Sequence, residues 1–166
     1  ELILLEPIRD KADILIETAE LTPHELKSTI RKLFLKAEGN LLSVSLKSFS
    51  YKRGLPRGAD MVLDCRFLKN PHWEEKLRKK TGLEADASKF VASDPKFTEY
   101  IQHVKKLLLF LIPLFKEEGK SSVEIGFGCT GGIHRSVAVT ETVAKELADS
   151  GWNVSIKHRE IERLDL

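Results

Sequence analysis

Phe127-Gly128-Cys129-Thr130-Gly131-Gly132-Ile133-His134-Arg135-Ser136 is the stretch that decides the fold. The run that leads into it, Ser122-Val123-Glu124-Ile125-Gly126-Phe127, is apolar enough for a buried strand, and the segment that leaves it, Ser136 to Ser150, has helical period. A glycine-rich turn between a strand and a helix gathers several backbone N–H groups into one small space. It also places the positive end of the helix dipole there. The ligand such a turn prefers is an anion, most often a phosphate. Arg135 can add a two-pronged donor to two of the anion's oxygens. The candidate phosphate-binding set is therefore Cys129, Thr130, Gly131, Gly132, His134, Arg135 and Ser136.

On either side the chain alternates strands with helices. Leu42, Val44 and Leu46 alternate with Ser43, Ser45 and Lys47, the pattern of a half-buried strand. Lys52-Arg53-Gly54-Leu55-Pro56-Arg57-Gly58 follows as a loop. Met61-Val62-Leu63-Asp64-Cys65 is more continuously apolar and is predicted to be a central strand. Asn70-Pro71 opens a short helical piece stopped by Gly82. Asp94-Pro95 caps a long helix, with Phe97, Ile101, Val104, Leu108 and Leu111 inward, that ends at Gly119. Val154 and Ile156 form a last strand. This order predicts an α/β domain with a mostly parallel or mixed sheet flanked by helices. Earlier in the chain, Ala12-Asp13-Ile14-Leu15-Ile16-Glu17 reads as a strand, and Thr22-Pro23-His24-Glu25 as a capping box that starts a helix running to about Ala37. That pair has no partner strands of its own. It is expected to close a preceding α/β domain, which divides the chain into residues 1–40 and 41–166.

Composition narrows the classes. The 166 residues are 42% hydrophobic and carry a net charge of +2, enough for a core and too little to announce a nucleic-acid binder. Cys65 and Cys129 have no metal-ligand spacing and are too few for a disulfide framework, so a reducing compartment and a cytoplasmic location are expected. The apolar run from Leu107 to Phe115 is too short for a bilayer, and no membrane association is expected. The chain begins with Glu1 rather than Met, so we expect the protein to continue on its N-terminal side.

Two further groups of residues stand out. Lys52, Arg66 and His72 follow the ends of strands, where α/β sheets bind ligands. With the 128–136 loop they would build a cationic site for a phosphorylated small molecule or an RNA backbone. Lys52, Arg53, Arg57, His158 and Arg159 are candidates for a basic, RNA-binding strip on one side of the sheet. Cys129 to Ser136 also fits C-x-x-G-x-x-R-[ST], the phosphate loop of cysteine-dependent phosphatases, in which Cys129 would be the nucleophile. That chemistry needs an acid on a separate loop, for which only the generic Asp60 and Asp64 are at hand. A cysteine that merely ends a buried strand is the plainer reading.

Ser48-Phe49-Ser50-Tyr51-Lys52, Gly54-Leu55-Pro56, Ala59-Asp60, Asp64-Cys65-Arg66-Phe67-Leu68-Lys69-Asn70-Pro71-His72-Trp73, Leu77-Arg78, Thr81-Gly82, Gly128-Cys129-Thr130-Gly131-Gly132 and His134-Arg135-Ser136-Val137 together strongly resemble the C-terminal domain of the RapZ/YvcJ family of nucleotide-binding proteins. The likeness runs from about Leu41 to Arg159, and residues 1–40 resemble the end of the family's P-loop kinase-like domain. The resemblance implies a phosphofructokinase-subdomain-like fold and a regulator rather than an enzyme in this part of the chain. It implies ATP or GTP, with weak NTPase activity, for the N-terminal domain; no G-x-x-x-x-G-K-[ST] occurs here, so no cofactor is expected in these residues. For the C-terminal domain it implies sensing of glucosamine-6-phosphate or a similar anion, small regulatory RNA with an RNase as partners (the RNase adapter role), and a homo-oligomer. It points to His72, Cys129, Thr130, Gly131, His134 and Arg135. One departure is the tail, Lys157 to Leu166, where acids offset the bases and argue against tight RNA binding.

Overall fold

The computed structural model describes residues 11–12, 14–34 and 42–163. The chain divides into two compact units, Glu1–Asn40 and Leu41–Leu166. In the first, helix α1 spans Pro23–Phe34. The Thr22 N–H and hydroxyl both donate to the Glu25 carboxylate, and the Glu25 N–H donates back to Thr22 Oγ1 at 3.3 Å, the reciprocal pair of the expected capping box. The strand expected from Ala12 to Glu17 does not form among its described residues, and Ile14 and Leu15 are exposed. A strand needs a neighbour for its backbone groups, and the described part of this unit supplies none. The stretch from 35 to 37, where the helix was expected to end, lies outside the described residues.

The second unit is built on four parallel strands, β1 (Ser43–Ser50), β2 (Met61–Asp64), β3 (Ser122–Cys129) and β4 (Val154–His158), in the order β2-β3-β1-β4. Helices α2 (Ala85–Ala92) and α3 (Phe97–Glu117) lie between β2 and β3, and α4 (Arg135–Asp149) between β3 and β4. The sheet is thus all parallel, within the mixed-or-parallel expectation. Two details differ. Met61–Asp64 is an edge strand, hydrogen-bonded only to β3, with Val62 turned to solvent. Met61 and Leu63, on the other side of the strand, pack against the core, so the apolar run reports burial on one face and not a second neighbouring strand. No α-helix forms after Asn70-Pro71. The Asn70 side chain accepts the His72 N–H and closes a 3-10 turn, Pro71–Trp73. The Glu74 carbonyl accepts from Leu77 and Arg78, a single turn with one apolar residue, Leu77, to bury. Nothing supports propagation.

Period two sorts the sheet into unlike faces. Val44 and Leu46 of β1 and Val123, Ile125 and Phe127 of β3 share one core with Val91 of α2, Phe97, Ile101, Val104, Leu108 and Ile112 of α3, and Val139 and Val143 of α4. Ile112 takes the inward place expected for Leu111, which is half-buried. The opposite face carries Lys47, Phe49, Gly126 and Gly128, and there the 51–60 loop covers the strands. A Cβ at Gly128 would lie 2.4 Å from the Tyr51 ring, and one at Gly126 3.0 Å from Pro56, so glycine at both lets the loop rest on the β3 backbone.

Candidate functional site

Ser50 and Cys129 are register partners at the carboxyl ends of the two central strands. The chain leaving β1 runs to one edge of the sheet and the chain leaving β3 to the other. Their ends therefore form the switch point at which open α/β sheets take ligands. The Ser50 hydroxyl donates to the Thr130 carbonyl at 2.7 Å, which ties the two ends together.

The glycine loop turns from β3 into α4. The Gly132 N–H donates to Cys129 Sγ at 3.2 Å, and Ser136 Oγ lies 3.2 Å from the same sulfur. Thr130 and Gly131 are exposed at the mouth, whereas Cys129, Gly132, His134, Arg135 and Ser136 are buried. The Ala138 N–H reaches back to the His134 carbonyl, and helical bonding begins there. Among the described residues, the N–H groups of Thr130, Gly131 and Ile133 through Val137 have no protein acceptor. This is the cluster of orphan donors that a helix start offers an anion.

A second loop, 65–82, wraps the first. Gly82 N–H donates to the Ile133 carbonyl at 2.7 Å, and a Cβ on Gly82 would meet the His134 carbonyl at 2.3 Å. Arg135, only 5% exposed, is spent on this junction. Its Nη1 donates to the carbonyls of Arg66 and Leu68, its Nη2 donates to Thr130 Oγ1 at 3.2 Å, and its buried Nε has no partner. The fork expected to grip a phosphate thus shapes the wall and holds Thr130 at the mouth. His134 is equally buried, with Nε2 unpartnered. Burial holds its imidazole below the usual histidine range against the pull of the Leu77, Lys80 and Arg78 carbonyls, and nearby His72 pushes the same way as burial.

Arg66 is exposed beside the mouth. It forms a fork with Asp64, Nε at 2.9 and 3.0 Å and Nη2 at 2.6 Å, and its guanidinium lies 4.1 Å from the Tyr51 ring centroid. The Arg66 hydrogen bond keeps the Asp64 carboxyl below the ordinary carboxylate range, so Asp64 is not a proton donor near neutrality. Asp60 accepts from Lys120 and from the Glu124 N–H at the start of β2, away from the loop. Burial would raise the Asp60 carboxyl, but these bonds outweigh it and hold it low. Neither aspartate suits the leaving-group acid that a cysteine phosphatase needs. His72 is exposed, edge-on to Trp73 at 5.5 Å. Lys52 is exposed in the 3-10 turn Tyr51–Arg53 after β1.

The proposed basic strip is split by the pleat. Arg53, Arg57 and Arg159 gather on the loop-covered face. His158 turns to the helix face, with Nδ1 2.8 Å from Ser48 Oγ and Nε2 2.9 Å from Glu141. Glu160, whose place in the sequence shows only as one acid of the tail, is central here. It is 5% exposed, accepts from the Ser50 N–H and Arg159 Nε, pairs with Arg53, and its Cγ would lie 2.4 Å from a Cβ on Gly132.

The family model of the RapZ C-terminal domain matches residues 42–162. A nucleotide-binding protein of Cereibacter sphaeroides is 52% identical over 163 residues, covering 98% of this chain and 54% of that protein. One of Ruegeria pomeroyi is 52% identical over 98% of this chain and 57% of its own length. One of Jannaschia sp. is 45% identical over 96% of this chain and 50% of its own. The chain therefore spans about half the length of the curated relatives it matches. With the family model matching most of its length and relatives 45–52% identical across nearly all of it, the chain belongs to the RapZ C-terminal domain family.

Proposed function

We propose that this domain is the ligand-sensing part of a RapZ-like nucleotide-binding regulator, and that it binds a phosphorylated amino sugar at the Cys129–Ser136 loop without turning it over. The orphan N–H groups of Thr130, Gly131 and Ile133 to Val137 carry this reading. They converge beside an exposed threonine and glycine, at the positive end of α4. Arg66 and His72 stand at the rim, where they would meet the sugar. Isothermal titration with glucosamine-6-phosphate should give a binding isotherm, with glucosamine bound at least about tenfold more weakly, the worth of one charge-assisted hydrogen bond or more. Equal affinity for the two would sink the proposal. Inorganic phosphate released during the titration, and abolished in Cys129→Ser, would replace it with the phosphatase reading.

In this proposal residues 1–40 close a preceding domain that binds ATP or GTP, and the regulator acts in the cytoplasm on a small RNA and its RNase. Lys52, Arg53 and Arg57 supply backbone contacts of the weak, steeply salt-dependent kind. Self-association has its own support. Leu107, Phe110 and Leu114 follow each other on the outer side of α3 and are 40%, 67% and 43% exposed. An apolar stripe opposite a helix's core face calls for a second cover. Light scattering at micromolar concentration should give more than the 18.8 kDa of one chain. Phe110→Asp should shift the population to monomer. A clean monomer without any substitution would remove the proposal.

A further inference from the structure

The loop-covered face of the sheet, opposite α2, α3 and α4, holds a cavity of about 410 Å³, of a size with small-molecule sites. Its cationic lining comes from three separate parts of the chain: Lys47 on β1, Arg53 and Arg57 on the 51–60 loop, and Lys157, Arg159 and Arg163 on or just after β4. The pleat explains the convergence. Lys47 and Lys157 are register partners, so they project to one face, and Arg159, two residues on, projects with them over the Phe49 ring.

The carboxylates around the cavity do not balance these cations. Lys47 pairs with Glu124, Lys157 with Glu162 at 3.2 Å, and Arg53 and Arg159 share Glu160. None of the three acids lines the cavity, and among the described residues Arg57 and Arg163 have no ion-pair partner. Among the described residues, six cations stand against three carboxylates. Arg159 is fixed, donating to Glu160, to the Gly54 carbonyl and to the Ser50 carbonyl at 2.8–3.0 Å. It is a rigid floor. Arg57 and Arg163 are exposed, and no described residue holds their guanidinium groups away from a ligand. One wall is apolar, formed by Leu55, itself 58% exposed, and Pro56.

We propose that this cavity is a second ligand site, separate from the glycine loop, for a small organic di- or triphosphate. The surplus of three positive charges among the described residues suits two or three linked phosphates better than one, and guanidinium groups suit their paired oxygens. The Leu55–Pro56 wall suits an apolar or planar body attached to them. A concavity fed from three chain segments favours a compact ligand over an extended strand.

Isothermal titration of the 166-residue chain with inorganic pyrophosphate, inorganic phosphate and ADP, at low ionic strength, tests this. Pyrophosphate and ADP should bind, ADP the more tightly, and phosphate at least about tenfold more weakly. Arg57→Glu and Arg163→Glu, both at exposed positions without a hydrogen bond or ion pair to any described residue, should each weaken pyrophosphate about tenfold with melting temperature unchanged. Leu55→Ser should weaken ADP and leave pyrophosphate alone. Backbone amide shifts on addition of pyrophosphate should fall at Gly54, Lys157 and Arg159. Shifts confined to Thr130 and Gly131 would assign the binding to the glycine loop and overturn the proposal. So would pyrophosphate affinity indifferent to both glutamate substitutions. A single-stranded RNA that binds and is weakened by those substitutions, with pyrophosphate and ADP inert, would overturn it in favour of a nucleic-acid backbone.

Discussion

Gly132→Ala is expected to be among the most damaging single-methyl changes in the domain, lowering stability by about 3 kcal/mol or more. Two independent costs add. Gly132 has φ +72°, where an L side chain meets the following carbonyl at roughly 1–2 kcal/mol. The new Cβ would also lie 2.4 Å from Glu160 Cγ, 2.7 Å from the Ser50 nitrogen and 2.9 Å from the Phe49 carbonyl carbon. Two of those neighbours are the backbone of a central strand, which cannot step aside, and overpacking of this kind costs about 1–3 kcal/mol. Urea unfolding of the variant should show the loss at an unchanged slope. Gly131→Ala is the control, because a Cβ there meets nothing within 4 Å. Equal stability of the two variants would mean that the loop does not sit against β1 as described.

Arg135→Met is expected to lose roughly 1.5–3 kcal/mol of stability, the range for hydrogen bonds to a charged group, and to abolish binding at the glycine loop. Methionine keeps much of the aliphatic bulk, so the loss is that of the guanidinium. It strands the carbonyls of Arg66 and Leu68 and releases Thr130 Oγ1, so that the 65–69 segment and the mouth of the loop separate together. Arg135→Lys should not restore either property. One ammonium has no planar fork with which to reach both sides of the junction. Differential scanning calorimetry reads the first effect, and titration with phosphorylated sugar the second. A lysine variant that binds like the parent would show that Arg135 contributes only its charge.

How far the sequence could be read depended on whether a feature was local. The strand, glycine turn and helix around Cys129 were legible because each is written in adjacent residues. The capping box at Thr22–Glu25 was legible for the same reason. The edge position of Met61–Asp64 was not, since strand order depends on pairings more than 60 residues apart. Helix α2 went unrecognised because only Ala87 and Val91 mark its buried side, and two residues do not make a period. Its one other signal was Thr81-x-x-Glu84, where the Thr81 N–H does bond to the Glu84 carboxylate. Arg135 was legible as a cation beside an anion-binding turn but not as a brace, because the carbonyls it holds lie 67 and 69 residues away. The basic residues were half-read. Alternation along β4 already places Lys157 and Arg159 opposite to His158, and grouping them by adjacency put the histidine on the wrong face.

The glycines at 126 and 128 have a consequence on the timescale of descent. Each marks a spot where the 51–60 loop occupies space that a side chain would otherwise fill, Pro56 over one and Tyr51 with Phe49 over the other. Neither partner in these two contacts can drift alone. A methyl gained on β3 must be answered by a smaller ring or a shifted proline in the loop, and a lineage that shortens the loop bares two strips of backbone. The unit of change in this part of the domain is therefore a matched pair, loop residue and strand glycine together, rather than a single position.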